Sequence, residues 1–190
     1  MVGESERAPV KAELVGSFLV IWDKEKAREI FKLGFFGKPL GIPKPKGPYF
    51  DAPLILDIME GLYLLEKGLI SIYKGPEGRE VKAEELKKIG RTIYKDFDLK
   101  YEVYKDLRDS GLVVISGIKF GCDFAVYRRG PGLEHAPYLI SVLRPDDVLT
   151  ASDVVRAGRL ATSVRKRFIV AVLDRPGGRI RYLMFKWFRA

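Results

Sequence analysis

The chain has 190 residues, of which 47% are apolar, so it is long enough for one large domain or two small ones with real hydrophobic cores. A single cysteine, Cys122, excludes an internal disulfide, and one cysteine together with one histidine argues against a zinc site. No apolar run approaches the roughly 18 residues of a membrane span, and the N-terminus lacks a signal-peptide pattern, so we expect a cytoplasmic protein.

Positive charge is concentrated in the second half of the chain. The net charge of +9 divides into +1 for residues 1–90 and +8 for residues 91–190. From Arg156 onward the chain has ten basic residues and one acid, Asp174. Such an asymmetric charge attracts polyanions such as nucleic acids. The chain also has no Asn and no Gln, which indicates a hyperthermophilic source, although a biased codon usage is the alternative.

The pattern of residues 1–90 predicts a small α/β domain. We expect, in chain order, a hairpin over Val10–Ile21, a helix over Lys24–Leu33, a helix over Ala52–Lys67, a strand over Leu69–Tyr73 and a helix over Lys82–Ile89. The segment Gly37–Pro48 has four prolines and three glycines, which argue against helix or sheet pairing there, and it has three lysines and no acid. It is either a phosphate-contacting arm through Lys44 and Lys46 or a surface connection.

Residues 91–190, after a boundary expected at Gly90, predict an α+β domain with a mixed five-stranded sheet packed against helices. The expected elements are a helix over Thr92–Ser110 that bends near Asp96–Asp98, strands over Leu112–Lys119, Cys122–Arg128 and Pro137–Leu143, a helix over Asp153–Ser163, and closing strands over Phe168–Leu173 and Ile180–Trp187.

Three residues of this second domain have side chains suited to moving protons at neutral pH. His135 is the only histidine and lies in a Gly/Pro-rich connection between two predicted strands. Tyr127 ends the preceding strand, and we expect the cations of Arg128 and Arg129 to lower its pKa so that it acts as a base. Lys166 lies where a helix gives way to a strand and could neutralise charge on a phosphate. Each also has a structural interpretation, as packing or surface residues.

Other residues suit RNA binding or different chemistries. Arg159 precedes Lys166 by seven residues, so a helix would place both on one face, and Trp187 lies among cations near the chain end. An arginine and an indole could clamp an unstacked base. A metal-dependent nuclease built on Asp123 and a Cys122–His135 nucleophile are weaker alternatives.

In this order and spacing the chain resembles the archaeal tRNA-splicing endonucleases. The resemblance is densest in Tyr104–Gly111, Gly117–Tyr127, His135–Leu139 and Arg159 with Ser163–Lys166. It implies an RNA endonuclease without metal or cofactor that cuts precursor tRNA at a bulge-helix-bulge and leaves 2′,3′-cyclic phosphate and 5′-hydroxyl ends.

The resemblance also implies roles for single residues. Tyr127 would be the general base, His135 the general acid and Lys166 the stabiliser of the transition state. Arg159 matches a base-clamping arginine, Trp187 is a looser match for the second side of that clamp, and Arg165 would be a further RNA contact.

Two features depart from the family pattern. The Gly37–Pro48 loop is longer and more basic than usual, and the loop 174–179, acidic in many family members, is net positive here. We therefore expect a second, different subunit to supply the acidic loop in a two-plus-two heterotetramer, with a homotetramer as the alternative. A non-catalytic RNA-binding or assembly subunit is the rival function.

Overall fold

The structure is a computed structural model that describes residues 8–43, 45, 47–163, 166–173 and 178–185. The chain divides into two compact units, residues 1–97 and residues 98–190. Among the helices within the described ranges, none combines the length and the apolar character that crossing a membrane requires.

The first unit is a mixed sheet with helices packed against it. Its elements are β1 (Val10–Val15), β2 (Phe18–Ile21), α1 (Lys24–Lys32), β3 (Lys38–Pro39), β4 (Leu54–Leu56), α2 (Ile58–Glu66), β5 (Ile70–Lys74), β6 (Arg79–Glu80) and α3 (Ala83–Ile93). In the described part of this unit the strand order is β3-β4-β2-β1-β5-β6, with β1 and β5 parallel. The predicted hairpin and the α1 helix after Asp23 are confirmed, because β1 pairs antiparallel with β2 and the Asp23 carboxylate caps α1.

Two expectations for the first unit are wrong. Leu54–Leu56 is a strand rather than the first turn of a helix, and α2 begins only after Asp57, whose side chain caps it. The Gly37–Pro48 loop was expected to lack sheet pairing, yet Lys38 and Pro39 pair with β4. Pro39 is tolerated because β3 is the edge strand, where a missing N–H group breaks no inner ladder.

The first compact unit extends to Phe97, past the boundary expected at Gly90, and α3 continues through Gly90 to Ile93. A Cβ atom at Gly90 would lie 2.3 Å from the ring of Phe97. The glycine therefore allows the Phe97 ring to pack directly on the helix, and the compact unit ends at Phe97. The expected bend near Asp96 is confirmed as a break between two helices, with Asp96 at a φ of 56°.

The second unit contains the mixed five-stranded sheet that the sequence predicted. Its elements are α4 (Phe97–Asp109), β7 (Val113–Ser116), a 3-10 turn (Ile118–Phe120), β8 (Phe124–Tyr127), β9 (Tyr138–Leu143), α5 (Ala151–Ser163), β10 (Arg167–Leu173) and β11 (Ile180–Met184). Over the described residues the order is β11-β10-β9-β8-β7, with β9 and β10 parallel and the other pairs antiparallel. The fold is α+β.

Helix α4 packs on one face of this sheet. Its Tyr104 ring lies 6.0 Å from the ring of Phe124 on β8, and Arg108 Nη2 donates a 2.8 Å hydrogen bond to the Val114 carbonyl on β7. Arg108 is buried, so this bond and a 2.9 Å bond from its Nε to the Tyr104 hydroxyl satisfy a charged group away from water. The loop between β8 and β9 lies at the end of the sheet that contains Tyr127.

Candidate active site at one end of the second sheet

The ends of three adjacent strands position the predicted reactive residues. Tyr127 is the last residue of β8, while Lys166 immediately precedes β10. Val126, Tyr138 and Arg167 form one row across β8, β9 and β10, and Arg167 donates its backbone N–H to the Pro137 carbonyl at 2.8 Å. Successive residues point to opposite faces of a sheet, so Tyr127 and Lys166 lie on the same face, two strand spacings or about 10 Å apart.

The ammonium group of Lys166 is fixed beside the β8–β9 loop. Lys166 is only 9% exposed, and its Nζ donates a 2.9 Å hydrogen bond to the Ala136 carbonyl and lies 4.8 Å from the centroid of the Phe120 ring. Burial, together with the neighbouring Lys119 cation, lowers the pKa of Lys166. This side chain is therefore a positioned cation with few rotamers left to lose, as a phosphate-stabilising group requires.

His135 lies next to that fixed point and is exposed to solvent. The carbonyl that holds Lys166 belongs to Ala136, the residue that follows His135. Within the described part of the chain, no hydrogen bond links the side chains of Tyr127, His135 and Lys166 directly. Tyr127 and Lys166 nevertheless share one end of the sheet, and His135 lies in the loop between β8 and β9 at that end.

Tyr127 is buried, and its environment differs from the expectation. Desolvation and the nearby Glu134 carboxylate raise the pKa of Tyr127, whereas Arg128 and Arg129 were expected to lower it. The expectation is wrong because Arg128 follows Tyr127 in an extended chain and points to the opposite face, where its guanidinium meets Tyr138. Arg129 is directed to the Leu133 carbonyl instead.

Glu134 organises the loop and was not singled out from the sequence. Its Oε1 accepts hydrogen bonds of 2.6 Å from the backbone N–H groups of both Arg128 and Arg129, and bonds from these N–H groups lower the pKa of Glu134. The loop reverses through Gly132, whose φ of 86° favours glycine. The sequence did contain a signal that could have pointed to Glu134, because it is the one acid between Arg129 and Pro137 and directly precedes His135.

Most of the predicted RNA-binding residues cannot be placed. Lys44, Lys46, Arg165 and Trp187 lie outside the described residues. Arg159 is exposed on α5. The structure describes α5 over Ala151–Ser163, and Lys166 directly precedes β10, so the expectation that a helix puts Arg159 and Lys166 on one face stays a prediction.

The residues of the two weaker alternatives have other partners. Asp123 Oδ1 lies 2.8 Å from Lys100 Nζ, and its Oδ2 accepts a 2.8 Å hydrogen bond from the Val142 backbone. The Cys122 thiol is buried and lies 3.5 Å from the carbonyl oxygens of Gly117 and Phe124. Asp123 therefore links α4 to the sheet, and Cys122 links the start of the 3-10 turn to the sheet. Both side chains have a structural role.

Comparison with known proteins identifies the family of both units. The family model described as the tRNA intron endonuclease N-terminal domain matches residues 10–87, and that of the tRNA intron endonuclease catalytic C-terminal domain matches residues 97–182. The gap between the two matches, residues 88–96, ends directly before Phe97, the last residue of the first unit.

Relatives with high identity span nearly the whole chain. The tRNA-splicing endonuclease of Hyperthermus butylicus is 51% identical over 94% of this chain and 98% of its own length. The proteins of that name from Saccharolobus islandicus and Sulfurisphaera tokodaii are 45% and 44% identical, over 94% and 93% of this chain and 98% of their own lengths. These relatives come from archaeal thermophiles, in agreement with the source expected from the composition. The chain is thus an enzyme of the tRNA intron endonuclease family, with both the N-terminal and the catalytic domain of that family.

Proposed function

We propose that this chain is the catalytic subunit of a metal-independent endonuclease that cuts precursor tRNA at bulge-helix-bulge intron boundaries. The observation that supports this most is the position of Tyr127 and Lys166 on one face at one end of the sheet, with Lys166 bonded to the residue after His135. A base, a cation and an acid around one phosphate are sufficient for cleavage through the ribose 2′-hydroxyl.

In this proposal the three side chains act on one phosphodiester. Tyr127 takes the proton from the 2′-hydroxyl, and the 2′-oxygen attacks phosphorus. His135 gives a proton to the 5′-oxygen as the bond between phosphorus and that oxygen breaks. The products are a 2′,3′-cyclic phosphate and a 5′-hydroxyl, so no water, metal or cofactor is consumed.

The electrostatics of the site suit these roles in different ways. The raised pKa of Tyr127 makes its phenolate scarce at neutral pH but a stronger base when it forms. Burial lowers the pKa of Lys166, and it also strengthens the attraction between the protonated ammonium group and a dianionic phosphorane.

The test is cleavage of a bulge-helix-bulge RNA in excess EDTA, with analysis of the product ends. The wild-type enzyme should cut and leave a cyclic phosphate, and His135→Ala should be slower by about 10²–10⁴-fold, the usual contribution of one general acid. The exposed Asp146 lies beyond the opposite end of β9 from His135, so Asp146→Ala is a control that should cut at the wild-type rate. Cutting that EDTA abolishes would contradict the proposal.

The second candidate is a non-catalytic RNA-binding or assembly subunit, favoured by the net charge of +8 in residues 91–190 and by the burial of Tyr127. A scaffold subunit would bind the RNA without cutting it, alone or with any partner. Unchanged cutting by the complex that contains His135→Ala would therefore assign catalysis to another chain.

We also propose that the active assembly is a two-plus-two heterotetramer in which a different subunit supplies an acidic loop. The support is the net positive sequence of the loop 174–179, of which Arg179 is exposed. Sizing of the purified chain tests this directly. A stable tetramer of this chain alone that cuts RNA would establish the homotetramer instead.

A further inference from the structure

The face of the sheet opposite Tyr127 and Lys166 bears a second cluster at the same end, formed by Arg128, Tyr138 and Arg167. Tyr138 and Arg167 are paired residues on β9 and β10, and Arg128 follows β8 two residues after Val126, the partner of Tyr138. By the alternation of side chains, all three lie on the face away from Tyr127 and Lys166.

Both guanidinium groups lie against the Tyr138 ring. The guanidinium carbon of Arg128 is 5.5 Å from the ring centroid, and that of Arg167 is 5.9 Å from it. Arg128 Nη2 also donates a hydrogen bond to the Tyr138 hydroxyl. The cation–π contacts themselves use no N–H donors, and the hydrogen bond to Tyr138 uses one donor of Arg128, so further donors of both guanidinium groups remain for a ligand.

The two charges are not neutralised within the described ranges of the chain. Arg128 and Arg167 are both exposed, and neither forms an ion pair with a carboxylate among the residues that the structure describes. Glu134, the first acid after Arg128 in the sequence, accepts from backbone N–H groups of the loop instead, and Asp123, the last acid before it, pairs with Lys100. The cluster is therefore a pair of oriented, solvent-exposed cations that can receive an anion.

Its position relates this cluster to the proposed cleavage site. Arg128 directly follows Tyr127 and Arg167 directly follows Lys166, so each pair of Cα atoms is about 3.8 Å apart. An RNA strand whose phosphate lies at Tyr127 and Lys166 can pass over the end of the sheet and bring a neighbouring phosphate to the opposite face. Guanidinium groups bind phosphate oxygens through paired N–H donors.

We propose that Arg128, Tyr138 and Arg167 form a phosphate clamp for the RNA backbone next to the cleaved bond. The clamp rests on the proposed function for its ligand, an RNA strand, but not on the identity of the catalytic groups. It positions the strand and takes no part in the transfer of protons. Because it contacts phosphates rather than base edges, it contributes affinity and register without sequence preference.

The test is the salt dependence of RNA binding. A bulge-helix-bulge RNA with a 2′-deoxy residue at each cleavage site cannot be cut, so its Kd is measured at several salt concentrations. Loss of one phosphate contact lowers the slope of log Kd against log salt by about 0.7–0.9. Arg128→Gln and Arg167→Gln should each show that loss, and the double variant about twice as much. Arg181→Gln, which removes an equally exposed charge from the edge strand β11, should leave the slope unchanged.

A further double variant separates the loss of charge from a failure to fold. Arg128→Lys with Arg167→Lys keeps both charges, so it should retain the slope while binding more weakly, because an ammonium group does not form paired bonds to phosphate. If the glutamine variants do not fold, the same comparison is made with this lysine variant. In that case a Kd equal to that of the wild type would contradict the clamp.

The outcomes distinguish the clamp from the proposed function. An unchanged slope in the folded double glutamine variant would overturn the clamp, whether or not the wild type cuts the cleavable RNA. An unchanged slope with loss of the assembly on sizing would show that the cluster binds a protein instead, which also overturns it. A wild type that shows the predicted slopes but does not cut would retain the clamp and contradict only the proposed function.

Discussion

Tyr127 and Glu134 form the electrostatic pair that sets the pH range of the proposed reaction. Burial and the Glu134 charge both disfavour the phenolate. At the same time Glu134 holds the loop that presents His135, through the backbone N–H groups of Arg128 and Arg129. The same carboxylate thus holds the loop in place and raises the pKa of the neighbouring Tyr127 phenol.

Substitution Glu134→Gln should separate these two effects. The amide oxygen can still accept the backbone hydrogen bonds, but the negative charge is gone, so the pKa of Tyr127 should fall. If the phenolate is the base, the rise of the cleavage rate with pH should then move to lower pH. The measurement is a single-turnover pH–rate profile, and Asp146→Asn, which removes an exposed charge elsewhere, should leave the profile in place. A profile that does not move would contradict the role of Tyr127 as base.

Lys166 and Lys119 lie around one aromatic ring. The ammonium groups are 4.8 and 4.9 Å from the centroid of Phe120, and the Lys119 cation contributes to the lowered pKa of Lys166. Removing that cation makes the charged form of Lys166 easier to keep, so its pKa should rise.

Lys119→Gln should therefore extend activity to higher pH. The reason is that Lys166 must be protonated to stabilise the phosphorane, and a higher pKa delays its loss of charge. The alkaline fall of the single-turnover rate is the quantity to compare with that of the wild type and of Lys95→Gln, an exposed lysine of the first unit. A fall at an unchanged or lower pH would show that Lys166 does not limit the alkaline side.

The sequence was sufficient to place these residues at element ends but not to predict their electrostatics. Lys166 was expected between a helix and a strand, and it precedes β10 directly. The error at Tyr127 arose because residues adjacent in sequence were treated as adjacent in space. In a strand Arg128 points away from Tyr127, whereas Glu134, seven residues after Tyr127, returns to it across the loop.

At the scale of elements, the Asp57 cap decides where α2 begins. Asp57 accepts a 2.8 Å hydrogen bond from the Met59 backbone, and Glu60 Oε2 accepts a 2.9 Å bond from the Asp57 backbone, which completes a capping box. The Tyr94 hydroxyl, whose pKa is raised by burial and by this carboxylate, donates to the other oxygen of Asp57. The cap thus joins α2 to the segment after α3.

Asp57→Ala should lower the free energy of unfolding by about 1–2 kcal/mol, because it removes the cap and leaves the Tyr94 hydroxyl without its acceptor. Asp57→Ser keeps a capping oxygen and should lose less. Chemical denaturation of the two variants and the wild type measures the difference. Equal losses in both variants would show that the cap itself contributes little.

The sequence did not reveal this helix start because its local pattern is ambiguous. Leu54, Ile58 and Leu62 recur at helical spacing, and all three are fully buried in the structure. What makes Leu54–Leu56 a strand is its pairing with β2 and β3, which lie more than ten residues away in sequence. Pairing between distant segments leaves no periodic signal in the segment itself.

At the scale of the whole molecule, charge and chemistry lie in the same unit. The basic residues of 91–190 belong mainly to the unit that contains Tyr127, His135 and Lys166, so the attraction for RNA is strongest where cleavage is proposed. The first unit is nearly neutral and has its own core. The difference in charge was evident from the sequence, while the position of the boundary depended on how Phe97 packs against Gly90.

The central claim is that His135 donates the proton to the departing 5′-oxygen, and a modified substrate tests it most directly. In an RNA whose 5′-bridging oxygen at the cleavage site is replaced by sulfur, the leaving thiolate needs no proton. The assembled enzyme with His135→Ala should therefore cut this substrate close to the wild-type rate, although it cuts the oxygen substrate about 10²–10⁴-fold more slowly. Lys166→Ala should be impaired on both substrates. An equal defect of His135→Ala on the oxygen and sulfur substrates would contradict the account.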